Sequence, residues 1–183
     1  FRDLLARRDV DTVAIASPDH WHVPMAIAAM RAGKDVYCEK PLSNTIGEGR
    51  ALVETAKRYG AVFQHGTQLH SMAGTRRACE LVRNGRIGKL QEIHIGSPPE
   101  AATGPLVPQP VPEGLAYDLW LGPAPEAPYS TARVGSVNGL PGWYFISDYS
   151  KAGWIAGYGV HDLDIAQWGM GLERSGPVAI AGS

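Results

Sequence analysis

The sequence predicts an α/β protein with a parallel sheet in its first half. Short apolar runs rich in β-branched residues occur at 12–16, 35–38 and 61–64. Helical patterns lie between these runs, and the turns that join them are only a few residues long, which is typical of βαβ units. We therefore predict that the three runs are adjacent parallel strands of one sheet.

Helix start and stop signals separate the predicted strands. A helical pattern over 22–31 is followed by Gly33, a favourable stop, and Thr45 with Glu48 has the spacing of a capping box. That box predicts a second helix, which ends at Gly60. We expect eight apolar side chains of this region to be buried: Val13, Ile15, Ile27, Met30, Val36, Leu52, Val53 and Val62.

Further elements are predicted outside this region. Helical patterns cover 1–8 and 72–82, and another runs from about 158 to 170. Residues 89–95 alternate in polarity, which predicts a strand that leaves the first sheet or lies at its edge. Residues 177–181 have the composition of a strand start.

The segment 98–128 holds nine of the fourteen prolines. Proline lacks an amide proton and restricts its own φ, so this density excludes a regular helix or a central strand. Tyr117, Trp120 and Tyr129 interrupt the segment, and aromatic residues are unusual in free linkers. We predict an ordered excursion that lies over a site or forms an oligomer contact, with a disordered linker as the alternative.

Composition excludes several classes of protein. The chain has 183 residues, is 44% hydrophobic and carries a net charge of −1, which gives no reason to expect nucleic acid or anionic membranes as partners. No apolar run is long enough to predict a membrane span. Cys38 and Cys79 are too few for a disulfide framework or a zinc set, and a free cysteine is most often a buried apolar residue. No metal site is predicted.

Residues 37–41 place Glu39, Lys40 and Pro41 where a predicted strand ends. Ligands of open α/β sheets bind at the carboxyl ends of the strands, so Lys40 is predicted to face a site. A partly desolvated lysine there can exchange a proton with a substrate hydroxyl. An ordinary surface Glu–Lys pair is the alternative reading.

Four stretches of the chain resemble one enzyme family. Residues 11–22 and 32–42, followed by 85–88 and 159–164, are similar in sequence and order to the Gfo/Idh/MocA family of NAD(P)-dependent oxidoreductases. That family includes glucose–fructose oxidoreductase and inositol dehydrogenase. The resemblance implies a bound NAD or NADP and a sugar or polyol substrate.

The resemblance also implies a domain plan. Residues 1–88 correspond to the later part of a Rossmann-type NAD(P)-binding domain, and 89–183 to the beginning of an α+β substrate domain with the proline-rich excursion at 97–128. No Gly-x-Gly-x-x-Gly loop occurs in the sequence, and the family places that loop before Phe1. We expect these residues to be an internal part of a longer protein and, alone, to bind NAD(H) poorly and to be inactive.

For the full-length protein we expect a homo-oligomer in the cytoplasm, or in the periplasm if an export signal precedes the chain. The residues predicted to contact the cofactor are Ser17, Pro18, Trp21, His22, Glu39, Lys40, Pro41 and Gln68. The amides of a strand-end loop that opens a helix suit an anion or nucleotide. Trp21 lies between two histidines and could stack on a ring; the alternative is that His20 and Trp21 only cap the start of the helix.

Lys40 and His161 are the predicted catalytic residues, because they match the lysine and histidine that face substrate in the family. Asp164 lies on the same helix face as His161 and could orient its ring. The predicted substrate contacts are Lys40, Tyr144, Asp148, His161 and Asp164. Gly157 is a departure, since the family often has a carboxylate at this position; Asp148 or Asp162 could compensate.

These groups predict hydride transfer from a carbinol to a nicotinamide, with the hydroxyl proton leaving to Lys40 or His161. Two other functions stay open. One is an NAD-dependent glycosidase on the same scaffold, and the other is a noncatalytic binding or assembly module.

Overall fold

The computed structural model describes residues 1–96, 103–137, 139–151 and 153–181. The chain divides into two compact units. No helix in these described ranges is long and apolar enough to cross a membrane. Each unit combines two separate segments of the chain, so this division does not test the domain boundary predicted after residue 88, which stays a prediction.

The first unit comprises Phe1–Gly66 and Pro98–Gly157, and its centre is a three-stranded parallel sheet. Strand β1 is Thr12–Ile15, β2 is Asp35–Glu39 and β3 is Phe63–Gly66, in the spatial order β1-β2-β3. The prediction of three adjacent parallel strands is confirmed, although β3 begins two residues later than its apolar run.

The register brings the carboxyl ends of the strands to one edge. Ile15 is paired with Cys38, and Glu39 is paired with Gly66. The loops that follow β1 and β2 therefore start beside each other and beside the end of β3. Any group that the sequence places directly after a strand is presented at this edge.

Three helices accompany the sheet: α1 at Arg2–Leu5, α2 at His22–Arg31 and α3 at Ile46–Tyr59. Helices α2 and α3 pack against each other, and α2 also packs on β1 and β2. Helix α2 has the predicted bounds, whereas α1 is shorter than the pattern over 1–8. Each crossover between parallel strands is thus made by one helix.

Helix α3 begins with the predicted capping box. Thr45 Oγ1 accepts from the Glu48 amide at 3.2 Å, and Glu48 Oε2 accepts from the Thr45 amide at 3.0 Å. Gly60 ends the helix in a left-handed conformation with φ of 62°. These local signals set the ends of the helix because they satisfy amides that have no partner inside it.

The core of the sheet and helices contains Ile15, Val23, Ala26, Ala29, Met30, Val36, Cys38 and Leu52. Four of the eight predicted core residues are in this set, and Val13 and Ile27 are half-buried against it. The prediction was wrong for Val53 and Val62, which are 47% and 67% exposed. Val53 is on the solvent side of α3, about 100° from Leu52, and Val62 precedes the start of β3.

The rest of the first unit is built around aromatic side chains. Tyr117, Leu121, Tyr129 and Tyr149 form a second buried cluster. The elements around it are α5 (Tyr117–Leu121), α6 (Thr131–Val134), the antiparallel pair β4 (Ser136–Val137) and β5 (Leu140–Pro141), a 3-10 turn at Gly142–Phe145 and α7 (Gly153–Gly157).

The proline-rich segment is folded in its described part, 103–128, whereas 98–102 lies outside the described residues. The prediction that it excludes a regular helix was wrong, since α5 lies within it. The helix is only five residues long and falls between Pro112 and Pro123, so no proline interrupts its hydrogen bonds.

The second unit comprises Thr67–Ser97 and Tyr158–Ser183. It contains a 3-10 turn at Gln68–Ser71 and two helices that pack against each other, α4 at Ala73–Arg83 and α8 at Gly159–Met170. Both helices were predicted, with bounds that differ by one residue.

The strand predicted over 89–95 is not present, and neither is one over 177–181. Within the described residues neither segment has a strand to pair with. An alternating pattern shows only that a segment could cover a core; a strand forms when a second segment completes its ladder of hydrogen bonds.

Candidate active site

The carboxyl edge of the sheet carries the residues that the sequence singled out. Ser17 and Pro18 follow β1, and Glu39 and Lys40 are at the end of β2; all four are half-buried. Gly66 ends β3 at a place where an added Cβ would be 3.0 Å from the Cα of Glu39. The space beside the Cα of Gly66 is therefore already occupied by atoms of β2, which lets the ends of β2 and β3 pack closely.

His22 joins the two strand-end loops. Its Nε2 is 2.9 Å from the Ser17 carbonyl oxygen and its Nδ1 is 2.7 Å from the Pro41 carbonyl oxygen, and the ring is 1% exposed. Both partners are acceptors, so each bond needs a hydrogen on the ring nitrogen. His22 therefore holds the loop after β1 against the loop after β2. Its own contact with a cofactor stays a prediction.

Trp21 and His20 anchor the same loop to α5. The Trp21 indole is within 3.1 Å of the carbonyl oxygens of Leu119 and Trp120, and His20 Nε2 is 3.0 Å from the latter. Burial lowers the pKa of His20, which favours the neutral ring with its hydrogen on Nε2. Trp21 is 9% exposed, so it packs within this unit, and its stacking on a cofactor stays a prediction.

Asp19 is a buried acid at this edge that the sequence analysis did not select. Its side chain is 3% exposed, and neither its Oδ2 nor the Ser150 hydroxyl has a partner of normal hydrogen-bond geometry among the described residues. Burial raises the pKa of Asp19 to about 6, although nearby Ser150, His22 and Lys40 oppose the rise. A carboxyl that titrates near neutral pH therefore lies close to Lys40.

Glu39 and Cys38 have simpler environments. Glu39 accepts weakly from the Lys40 amide at 3.3 Å and from the Tyr37 hydroxyl at 3.5 Å. Burial raises the pKa of Cys38 to about 12, so its thiol stays protonated and inert. The structure confirms that both cysteines are buried and free.

Lys40 has its ammonium group directed at α7. Nζ donates to the carbonyl oxygen of Gly157 at 2.6 Å and lies 5.8 Å from the centre of the Tyr144 ring. The side chain is half-buried, and the Lys40–Pro41 peptide bond is cis. Lys40 thus binds a backbone carbonyl 117 positions along the chain, which an ordinary surface pair with Glu39 would not require.

Tyr144 and Asp148 come from the segment before α7. Tyr144 is half-buried in the 3-10 turn and packs edge-on against Trp154 and Phe145, at centroid distances of 5.6 and 5.3 Å. Asp148 is half-buried in the following turn. The structure thus places Tyr144 beside Lys40, while a substrate contact for either residue stays a prediction.

His161, Asp164 and Gln68 belong to the second unit. His161 is 4% exposed and meets the Tyr158 ring edge-on at 6.1 Å. Gln68 is exposed at the start of its 3-10 turn. Because Lys40 belongs to the first unit, a shared site for Lys40 and His161 stays a prediction.

Asp164 has a partner that the sequence analysis missed. Its Oδ2 is 2.8 Å from His70 Nδ1, and the His70 ring stacks on Trp168 at 4.0 Å with planes 13° apart. The carboxylate thus orients His70, a residue 94 positions earlier in the chain. No local pattern connects positions so far apart. Among the described residues, no group of three or more His, Cys, Asp or Glu side chains could hold a metal.

Comparison with known proteins defines the class. Residues 1–67 match the GFO_IDH_MocA family model, described as an oxidoreductase family with an NAD-binding Rossmann fold. Residues 101–182 match a second model of the same group, its C-terminal alpha/beta domain. The chain belongs to the Gfo/Idh/MocA family of oxidoreductases.

Three curated relatives with different names are similar to parts of this chain. The chain is 33% identical over 91 residues to a 2,7-anhydro-N-acetylneuraminate hydratase of Mediterraneibacter gnavus, which covers 50% of this chain and 24% of the relative. It is 36% identical over 87 residues to a 1,5-anhydro-D-fructose reductase of Ensifer adhaerens, covering 48% and 26%. It is 48% identical over 58 residues to a glycosyl hydrolase family 109 protein of a Shewanella species, covering 32% and 13%.

A solved structure matches more of the chain. An oxidoreductase domain protein from Kribbella flavida has a TM-score of 0.64 and 26% identity, and the match covers 93% of this chain and 38% of that one. The chain thus spans about a quarter or less of the curated relatives' length.

Proposed function

We propose that the intact protein oxidises a CH–OH group of a sugar, cyclitol or related derivative, using NAD or NADP. The observation that carries this proposal is Lys40, a half-buried lysine at the carboxyl end of β2 whose ammonium is held at 2.6 Å by Gly157. Together with the family's oxidoreductase class, this geometry supports Lys40 as the proposed proton acceptor.

The strand-end residues fit a nicotinamide cofactor. Ser17, Pro18 and the Glu39–Pro41 stretch lie at the carboxyl edge of the sheet, and His22 holds the two loops together. When bound, the cofactor supplies the acceptor for a hydride. Trp21 and Gln68 remain proposed contacts.

Proton transfer is the part of the reaction that the chain itself performs. As the C–H bond of the carbinol breaks with its electron pair, the hydroxyl proton moves to the neutral amine of Lys40 and a carbonyl forms. The resulting ammonium is bound by the Gly157 carbonyl and lies close to the Asp19 carboxyl.

The other proposed substrate residues orient the reacting hydroxyl. Tyr144 and Asp148 come from the same unit as Lys40, and His161 with Asp164 comes from α8. His161 is the second candidate for the proton acceptor. The substrate must be held so that its hydride and its proton can both be transferred, and holding it in that geometry lowers the barrier to the reaction.

The test uses the intact protein with NAD or NADP and a panel of sugars and cyclitols, and follows the absorbance of the reduced cofactor. Lys40→Ala should lower kcat/KM by about 10²–10⁴-fold. Lys40→Arg should not restore it, because a guanidinium does not release its proton at neutral pH.

Lys34→Ala is the matched control. Lys34 is a buried lysine at the opposite end of the same strand, directly before the first residue of β2. Its Nζ donates to the Arg7 carbonyl at 2.7 Å. Its loss should affect stability and leave turnover per folded molecule unchanged. Normal turnover in Lys40→Ala would remove the lysine from the mechanism.

A glycosidase reaction is the second candidate, favoured by the 48% identity to a glycosyl hydrolase family 109 protein. In that reaction the sugar would first be oxidised, then lose its leaving group, and finally be reduced again, so the cofactor would be regenerated. Incubation with aryl glycosides separates the two. Free aglycone without net reduced cofactor supports the glycosidase, and stoichiometric reduced cofactor supports the dehydrogenase.

A further inference from the structure

Gly157 lies where no side chain fits. A Cβ built on this residue would be 1.7 Å from the Tyr144 hydroxyl oxygen and 2.1 Å from Cζ of the same ring. Atoms that are not bonded to each other do not approach this closely, so a larger residue at position 157 would displace the tyrosine. The Tyr144 phenol thus fills the space beside the Cα of Gly157.

Lys40 meets the same two residues. Its Nζ donates to the Gly157 carbonyl oxygen at 2.6 Å, and it lies 5.8 Å from the centre of the Tyr144 ring, within the range of a cation–π contact. The ammonium is therefore held from two sides, by a carbonyl on α7 and by an aromatic face.

Neighbouring rings limit the movement of Tyr144. Trp154 meets it edge-on at 5.6 Å with planes 65° apart, and Phe145 does so at 5.3 Å with planes 74° apart. Trp154 belongs to α7, the helix that ends at Gly157. The tyrosine, the carbonyl and the lysine are thus parts of one packed arrangement.

We propose that Tyr144 is a positioning residue for Lys40, and that position 157 is glycine because the Tyr144 phenol occupies its side-chain space. The ring favours the ammonium that forms when Lys40 accepts a proton, and it blocks rotamers that would turn Nζ away from the site. The catalytic part of this inference rests on the proposed function; the fit between residues 144 and 157 does not.

A pair of variants at position 144 tests the positioning role in the intact protein. Tyr144→Phe keeps the aromatic face beside Lys40 and should lower kcat less than Tyr144→Leu does. Tyr144→Leu keeps apolar bulk without the face, and should lower kcat about fivefold with little change in KM, since about 1 kcal/mol of cation–π contact corresponds to roughly that factor.

The pH profile of kcat/KM separates positioning from simple support of the fold. Lys40→Ala should abolish one limb of this pH profile. The same limb should shift along the pH axis in Tyr144→Leu and keep its wild-type position in Tyr144→Phe. A folded Tyr144→Leu with wild-type kcat and an unmoved limb would overturn the positioning role.

Thermal unfolding tests the fit without any activity. Gly157→Ala should destabilise the protein, and the double variant Tyr144→Ala with Gly157→Ala should be less destabilised than the sum of the two single variants, because the smaller residue at 144 makes room for the new methyl group. Additive losses, or a harmless Gly157→Ala, would overturn the fit.

The two sets of measurements also separate this inference from the proposed function. If Lys40→Ala keeps full turnover, the proton-acceptor role and the catalytic half of the inference both fail. The unfolding result at positions 144 and 157 still decides whether the phenol occupies the space beside Gly157.

Discussion

Asp19 shows how burial gives one residue unusual chemistry. Its carboxyl is 3% exposed and lies near His22 and Lys40. Desolvation penalises the charged form more than these neighbours reward it, so the pKa rises to about 6. This buried carboxyl in the loop after β1 therefore makes the stability of the protein depend on pH.

The raised pKa predicts a pH-dependent effect of Asp19→Asn. An unfolded aspartate titrates near pH 4, so the folded protein binds this proton more tightly and loses that stability as the pH rises through about 6. Asp19→Asn should therefore stabilise the protein by up to about 3 kcal/mol at pH 7.5 and change little at pH 4. Urea unfolding at the two pH values measures the difference.

Asp118→Asn, an exposed acid on α5, serves as the control for the removal of one negative charge. It should show no comparable difference between the two pH values. An Asp19→Asn effect of equal size at pH 4 and pH 7.5 would contradict the assignment of the raised pKa to this carboxyl.

At the scale of elements, local signals and packing determine different properties. The capping box and Gly60 are read within a few residues, and they set the ends of α3. Which face of α3 is buried depends on the sheet and on α2, so Leu52 is buried and its neighbour Val53 is not. Both are aliphatic residues of an amphipathic helix, and a short window does not rank them.

This difference predicts unequal costs for two adjacent substitutions in α3. Leu52→Ala creates a cavity in the core and should lower the free energy of unfolding by about 2–5 kcal/mol. Val53→Ala removes mostly exposed methyl groups and should change it by about 0.5 kcal/mol or less. Denaturant unfolding of both variants measures this, and equal losses would show that α3 packs differently.

At the scale of the molecule, the two units differ in how much they bury. Both buried hydrophobic clusters belong to the first unit. Among the described residues of the second unit, Cys79, Gly159 and His161 are buried, and most apolar side chains of its segment 171–181 are exposed. The first unit thus contains most of the apolar burial that stabilises this chain.

Hydrogen exchange should reveal the same difference. Backbone amides of β1, β2 and α2 should exchange most slowly, because their opening disrupts the buried cluster of the first unit. Amides of α4 should exchange faster, since Cys79 is its only buried side chain. Exchange followed by mass spectrometry of peptides measures both, and equal protection in α4 and β2 would contradict this order.

Part of the candidate site could be predicted because it depends on short-range order. Lys40 directly follows an apolar strand, and the motif around it resembles a known family, so its place at the strand end needed no distant contact. Asp19, His70 and the fit of Tyr144 with Gly157 depend on contacts between distant segments. No spacing within the sequence encodes which of these side chains lose water or meet.

The amino-acid sequence alone determined the class of fold, the three parallel strands, the ends of α2 and α3 and the family, because periodicity, caps and motifs act over a few residues. Only the tertiary structure decided that 89–95 forms no strand, that Val53 and Val62 are exposed, and that α5 fits between prolines. It also decided that Lys40 binds Gly157 beside Tyr144 and that Asp164 pairs with His70. Burial and long-range hydrogen bonds exist only once segments far apart in the chain are packed together.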